Sequence, residues 1–382
     1  MTKQTGFHNR TSELTDNYAE FFGYNIPQAY SNTTVTEEYL NVRNNVGVLD
    51  LSYLPKIEIL GPDAETLCQT IFTRNIKKLG PKSIVYTAMC NEDGGMLDDG
   101  TLFRMSDNRF RFICGFPETF DYIQGVAWAM HLKVMVKDAT DLYSNIAVQG
   151  PNSRKVLEKI IWTSGHDPSI EQLACFNLAP ARIDFDAGLP IVVSRTGYTG
   201  EMGYEIWCAP RDAETLWDSV FEAGKEFDIK PFGLAALDLL RIEAGLIYGG
   251  QDFDASVHPY ESGIGFVAPL KSQSDDFIGR EAIEKSVANP TRVLTGLEIS
   301  GTIVAEINDA VLVDGTQVGV VTSAMYSKAL DKNIAMVRMD IAHSKNGVKV
   351  EVGKIDAPDA RLTATIIERP FYDPSRSKMR QK

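Results

Sequence analysis

IEILGPDAETL (57–67) is the stretch on which the fold reading turns. Ile57 and Ile59 alternate with Lys56 and Glu58, which predicts a half-exposed strand. Gly61-Pro62 ends that strand, and Pro62 suits an early position in the helix that follows. The same grammar returns 89 residues later in IAVQGPNSRKVL (146–157): an apolar strand, Gly-Pro, a polar helix start, then a leucine-bearing helix. Two such units predict two related α/β lobes.

Working outward, residues 13–30 read as a connecting region and TVTEEYLNVRNN (34–45) as an amphipathic helix. RFRFIC (109–114) is an alternating strand, followed by a helix over 117–131. LPIVVSRTGYTGEMGYEIWCA (189–209) gives two strands around a glycine-rich turn. RDAETLWDSVFEAGKEF (211–227) is an amphipathic helix, and GLAALDLLRIEAG (233–245) a helix closed by Gly245. From about residue 290 short strands separated by Gly, Asp and Asn predict a mostly β C-terminal domain. Lys271–Asp276 reads as the linker before it.

The chain has 382 residues and 44% hydrophobic content, enough for two or three domains with a substantial core. A net charge of −13 argues against nucleic acid as a partner, because phosphate binding needs clustered Lys and Arg. The one basic run, RSKMRQK at the C-terminus, reads as a solvated tail. Five scattered cysteines without a Cys-x-x-Cys fit a reducing compartment. The polar N-terminus lacks a signal core, and no apolar run is long enough to span a membrane. The expected location is the cytoplasm. The five histidines have no metal-ligand spacing, so no metal is expected.

Two stretches carry candidate chemistry. NEDGGMLDDGTLFRM (91–105) reads as a tight turn at Asp93-Gly94-Gly95 followed by a strand. Asp98 and Asp99 open that strand although Asp is a poor strand former. Strand alternation sends the two carboxylates to opposite faces. GYTGEMGYE (197–205) sets Tyr198 and Tyr204 beside Glu201 and Glu205. It lacks the Gly-Lys-Ser/Thr of a P-loop and does not match G-x-G-x-x-G. Rings beside carboxylates suit a flat, nitrogen-rich heterocycle, which can stack on the ring and donate paired N–H bonds to the acid.

Six segments in order resemble one family: YTAMCNEDGGMLDDG (86–100), IAVQGPN (146–152), RTGYTGEMGYEI (195–206), LLRIEAGLIYGGQDFD (239–254), DFIGREA (276–282) and VTSAMYSKALDKNIAM (321–336). They are similar to the glycine cleavage T-protein and its relatives, the tetrahydrofolate-dependent aminomethyltransferases and demethylases. The resemblance runs from about residue 35 to about 370. It implies an α+β, three-domain cloverleaf around a central folate channel. Residues 1–50 and 140–250 would form one folate-binding lobe, 51–139 and 251–275 the second, and 276–382 the C-terminal β-barrel-like domain.

The resemblance also assigns roles. Asp99 would be the catalytic carboxylate near N5 and N10 of tetrahydrofolate, where it orients N10–H, stabilises developing positive charge and moves a proton. Glu205 would grip the pterin amino edge. Tyr86 and Tyr198 would line the channel, with Glu201 a further lining residue. The implied activity is transfer of a one-carbon unit from a small methylated or aminomethyl donor to N5.

Two alternatives stand beside it. One is an ordinary T-protein acting on a lipoyl carrier protein. The other is a non-catalytic folate-binding accessory protein, which the retained Asp99 and the lack of a Lys-Gly-Cys-Tyr-x-Gly-Gln signature disfavour. The family's usual arginine is Leu237 here, and Ser327-Lys328 replaces a common Ser-Pro, which weakens the lipoyl reading. HPYESG (258–263) resembles the folate domains of dimethylglycine- and sarcosine-oxidising enzymes, without a flavin fingerprint near the N-terminus.

Overall fold

Three β-systems organise the chain in the computed structural model, which describes residues 2–273, 275–355, 357 and 359–381. The first is a seven-stranded sheet. Its order is Ile161–Trp162, Leu178–Ile183, Pro190–Ser194, Gly203–Cys208, Ser144–Gln149, Gly47–Asp50 and Lys230–Pro231. Only the last pairing is parallel. The second is an antiparallel five-stranded sheet ordered Ser83–Cys90, Met96–Ser106, Arg109–Cys114, Lys56–Leu60 and Met135–Asp138. The third is a closed six-stranded barrel between Arg292 and Ile367. A mixed α/β fold with a C-terminal barrel, as expected from the sequence, is what the chain adopts.

The two Gly-Pro junctions have the same geometry. Gly61 and Gly150 have φ of +134° and +122°, which residues with a Cβ rarely adopt. A Cβ at either would also lie 2.5–2.6 Å from a carbonyl oxygen, that of Lys133 or of Asn45. Each glycine therefore lets an apolar strand turn straight into a helix, Ala64–Ile71 in one case and Ser153–Glu158 in the other.

Residues 13–30 are more ordered than the sequence suggested. They include an antiparallel hairpin, Tyr18–Phe21 with Tyr24–Pro27. Of the expected linker Lys271–Asp276, Ser274 lies outside the described residues. Gln273 there is buried, and the helix Arg280–Ala288 intervenes before the barrel. Ile283 of that helix packs with Cys90 and Met96 of the five-stranded sheet.

The helix Leu234–Glu243 is the central tie. Glu243 pairs with Arg43 at 3.0 Å and accepts hydrogen bonds from Tyr39 and from Ser327 of the barrel. Its backbone carbonyl receives the amides of Phe371 (3.0 Å) and Tyr372 (2.9 Å). Two residues earlier, Arg241 pairs with Asp252 at 2.6 Å, and Asp252 accepts the hydroxyl of Ser323 at 2.9 Å. One helix thus fixes the first sheet, the barrel and the C-terminal segment against each other.

The basic C-terminus is not a free solvated tail; Lys382 alone of that run lies outside the described residues. Arg195 donates to the carbonyls of Met379 (3.3 Å) and Gln381, and Arg154 donates to Gln381 at 3.1 Å. Lys378 lies 3.7 Å from Glu201. Main-chain carbonyls, not the basic side chains alone, anchor the segment.

Candidate functional site

The inner faces of the two sheets meet around Trp207, Phe103 and Ile113. Pairing across the five-stranded sheet places Lys56, Ile113, Thr101 and Tyr86 in one row. Strands lie about 4.8 Å apart, so Lys56 and Tyr86 stand about 14 Å apart along it. Polar groups gather at both ends of this row.

At the Tyr86 end, Asp99 accepts the Tyr86 hydroxyl across neighbouring strands. Burial raises the Asp99 carboxyl to about 6, with the Asp252 charge adding to the effect. Tyr198 completes the group: its hydroxyl donates to the carbonyl of Ile247, and its phenol feels the charge of Asp99. The ring of Phe266 lies 6.1 Å from that of Tyr86.

Asp98 turns the other way, as alternation requires. It is fully buried and accepts the amides of Asp99 (2.8 Å), Gly115 (3.0 Å) and Phe116 (3.1 Å) and the hydroxyl of Thr119. Burial and the neighbouring Asp99 charge push it up to about 7. Asp98 is thus a clamp that fixes the strand on which Asp99 is presented.

At the Lys56 end, Glu205 and Asn145 occupy adjacent strands of the seven-stranded sheet and face the same way. Burial raises the Glu205 carboxyl, while Thr196, Asn145 and the Lys56 charge oppose that shift. Lys56 is fully buried, donates to the carbonyls of Ser52 (2.9 Å) and Leu54 (2.8 Å), and is pulled down to about 7 by desolvation. Asn145 is also fully buried, yet neither its Nδ2 nor its Oδ1 makes a hydrogen bond. An orphaned buried amide costs free energy unless a ligand satisfies it.

The glycine-rich turn GYTGEMGYE has a packing role. A Cβ at Gly197 or Gly203 would fall 2.1 or 2.2 Å from Oε1 of Gln149. The Gln149 amide fills that space, donating to the carbonyls of Thr196 (3.2 Å) and Tyr204 (3.3 Å) and accepting the Thr199 hydroxyl (2.9 Å). Gln149 of the Gly-Pro strand therefore holds the loop that carries Tyr198.

Four of the five residues expected at the site, Tyr86, Asp99, Tyr198 and Glu205, lie along this inter-sheet face. Glu201 does not, which corrects the expectation that it lines a channel. Its carboxylate is buried against Arg43 at 3.1 Å, so it is committed to an ion pair within the fold. Lys56 and Asn145 were missed. The usable signal for Asn145 was a polar residue inside the apolar run SNIAVQ, whose six positions are all buried. Leu237 packs in an apolar cluster with Leu51 and Tyr53. Among the described residues no group of three His, Cys, Asp or Glu is placed to hold a metal ion, and no helix is long and apolar enough to cross a membrane.

Fold and site together define a two-lobed α/β protein with a C-terminal barrel and an acid-bearing cleft between its sheets. Comparison with known proteins gives the family. The chain matches the GCVT N-terminal domain over residues 7–272 and the glycine cleavage T-protein C-terminal barrel domain over 292–373. It belongs to the glycine cleavage T-protein family and is an enzyme of that type. It is 50% identical over 380 residues to the trimethylamine-oxide aldolase of Ruegeria pomeroyi, an alignment covering 100% of this chain and 48% of that protein. The chain thus spans about half the length of that relative. It is 34% identical to aminomethyltransferases of Clostridium botulinum (strain Okra / Type B1) and Streptomyces avermitilis, covering 92% of this chain and 92% and 93% of theirs. The crystal structure of the glycine cleavage system aminomethyltransferase T from Bartonella henselae superposes with a TM-score of 0.85 over 98% of this chain and 99% of that one. At 23% identity it bears on the fold alone.

Proposed function

We propose that the chain is a tetrahydrofolate-dependent one-carbon transferase, moving a C1 unit from a small methylated or aminomethyl donor to N5 of the cofactor. The observation that carries this reading is the pairing of two polar ends. Asp99 with Tyr86 and Tyr198 stands at one end of the inter-sheet face, and Glu205 with the orphaned Asn145 amide at the other. A pterin has N–H donors and ring acceptors along one edge. It fits a carboxylate beside an unsatisfied amide, since both would gain partners. The separation of about 14 Å suits a ligand that reaches from that edge to the nitrogens beside Asp99.

Tetrahydrofolate would supply the nucleophilic amine that takes up the carbon. The protein's own part is binding and proton control. Glu205 and Asn145 orient the heterocycle. Asp99, held near 6, can exchange a proton around neutral pH and offset positive charge in a site of low dielectric. Asp98 keeps it in place, and Tyr86 fixes the direction of its carboxylate.

For the donor, we favour a small methylated amine, or the one-carbon aldehyde derived from it, over a lipoyl carrier protein. Full-length similarity to a trimethylamine-oxide aldolase supports this, as does the apolar packing of Leu237. We place the chemistry in the cytoplasm, since five free thiols suit a reducing compartment.

The test is incubation of the protein and tetrahydrofolate with isotopically labelled trimethylamine oxide, formaldehyde, dimethylglycine, sarcosine or aminomethyl-lipoyl-H-protein, reading label in the folate by mass spectrometry. Label from a small donor is expected. Label from the lipoyl protein alone would make the chain an ordinary aminomethyltransferase. Bound folate with no label from any donor would overturn the transferase reading.

A further inference from the structure

Outside the inter-sheet face, one cleft combines unpaired charge with an unpaired buried amide. Arg74 follows the helix Ala64–Ile71 and donates to the carbonyl of Phe266 at 2.8 Å. Among the described residues no carboxylate pairs with its guanidinium, which half-burial pulls below its usual range. Lys78, at the end of the turn Ile76–Lys78, is exposed and likewise has no acidic partner; its neighbour Lys77 takes Asp275 at 2.6 Å. Arg74 and Lys78 line a common cleft with Asn75, Ser272 and Gln273. Gln273 is 2% exposed, and neither its Nε2 nor its Oε1 has a partner. Two free cations and an unsatisfied buried amide together suit an anion with several oxygens.

Position narrows the anion. The row from Lys56 to Tyr86 ends on Ser83–Cys90, an edge strand of its sheet. Beyond that edge come Phe266, beside Tyr86, and then Arg74, bonded to the Phe266 carbonyl. A folate with its pterin at Glu205 and its bridging nitrogens at Asp99 has its remaining end directed over this edge. That end is a glutamate, extended in folates by further γ-linked glutamates, each adding a carboxylate.

We propose that Arg74, Lys78 and Gln273 form a subsite for the γ-glutamyl carboxylates of the folate tail. This rests on the folate reading above and adds a preference for long-tailed cofactor. Arg74 and Gln273 would hold carboxylates at the cleft wall, and Lys78 would act as a screened surface charge.

The test measures Kd for tetrahydropteroyl-monoglutamate and -pentaglutamate, at low and physiological salt, with the wild-type chain and with Lys78→Glu and Arg74→Gln. The wild-type chain should bind the pentaglutamate at least about fivefold tighter, with the advantage shrinking as salt rises. Either substitution should remove most of that advantage and leave monoglutamate affinity unchanged. Lys78→Glu touches no internal contact, so it stays informative should Arg74→Gln disturb the loop. Equal wild-type affinity for both ligands, or an advantage that survives both substitutions, overturns the subsite alone. Failure of both ligands to bind overturns the folate reading and the subsite with it. Titration with inorganic phosphate separates the remaining source: thermal stabilisation by phosphate in the wild-type chain, lost in Lys78→Glu, together with no tail-length effect, would make this a free-anion site and overturn the tail assignment.

Discussion

Tyr86 donates its hydroxyl to Asp99 from the neighbouring strand, so the carboxylate of Asp99 is aimed while that of its sequence neighbour Asp98 is buried in a clamp. Each half of this relationship has a separate consequence.

Asp99→Asn keeps the shape and loses the charge. Turnover should fall about a hundredfold or more, with folate Kd changed by less than about threefold. The active form is the carboxylate, so the wild-type rate should decline as the pH falls through about 6. That acid limb should be missing from the variant. A single-turnover pH profile beside equilibrium binding checks this; a wild-type rate in the variant removes Asp99 from the chemistry.

Asp98→Ala should act on stability. It leaves the amides of Gly115 and Phe116 unpaired in a buried region, at a cost of about 3 kcal/mol. Burial holds the Asp98 carboxyl near 7, above about 3.9 for an unfolded aspartate. The folded chain therefore binds the extra proton between those values. The Asp98 contribution to stability grows as the pH drops from about 7 towards 4, and Asp98→Asn should flatten that slope in thermal melts. An unchanged slope would contradict the assignment.

Glu205→Ala should weaken folate binding about thirtyfold, because buried pterin N–H groups lose their acceptor. Isothermal titration reads this directly, and unchanged affinity takes Glu205 out of the site.

Asn145→Leu should move stability and binding in opposite directions. The ligand-free chain loses an unsatisfied buried amide and should gain about 1 kcal/mol, while folate affinity drops. Destabilisation with intact binding would mean that the amide is satisfied within the fold.

Glu201→Gln should leave folate affinity unchanged. It breaks a buried ion pair with Arg43, so unfolding should become easier by about 3 kcal/mol. A large affinity loss without destabilisation would restore Glu201 to the site.

Legibility in the sequence followed the range of the interaction. The Gly-Pro junctions, the closed C-terminal barrel and the opposite facing of Asp98 and Asp99 all follow from local periodicity and backbone sterics, which a sequence displays. Glu201 and Glu205 could not be told apart that way. The strand begins only at Gly203, so alternation places Glu205 and says nothing of Glu201. The partner that captures Glu201, Arg43, comes from a helix 158 residues away. Lys56 looked like the polar side of a half-exposed strand because the sheet that covers it is formed by distant segments. The docked C-terminus was hidden for another reason: Arg195 and Arg154 recognise main-chain carbonyls there, which carry no residue signature.

The most direct test of the central claim is a crystal structure of the chain with 5-methyltetrahydrofolate. The pterin edge should lie against Glu205 and the amide of Asn145, with the bridging nitrogens beside Asp99 and Tyr86. A pterin bound elsewhere, or turned so that its amino edge meets neither Glu205 nor Asn145, would contradict the account.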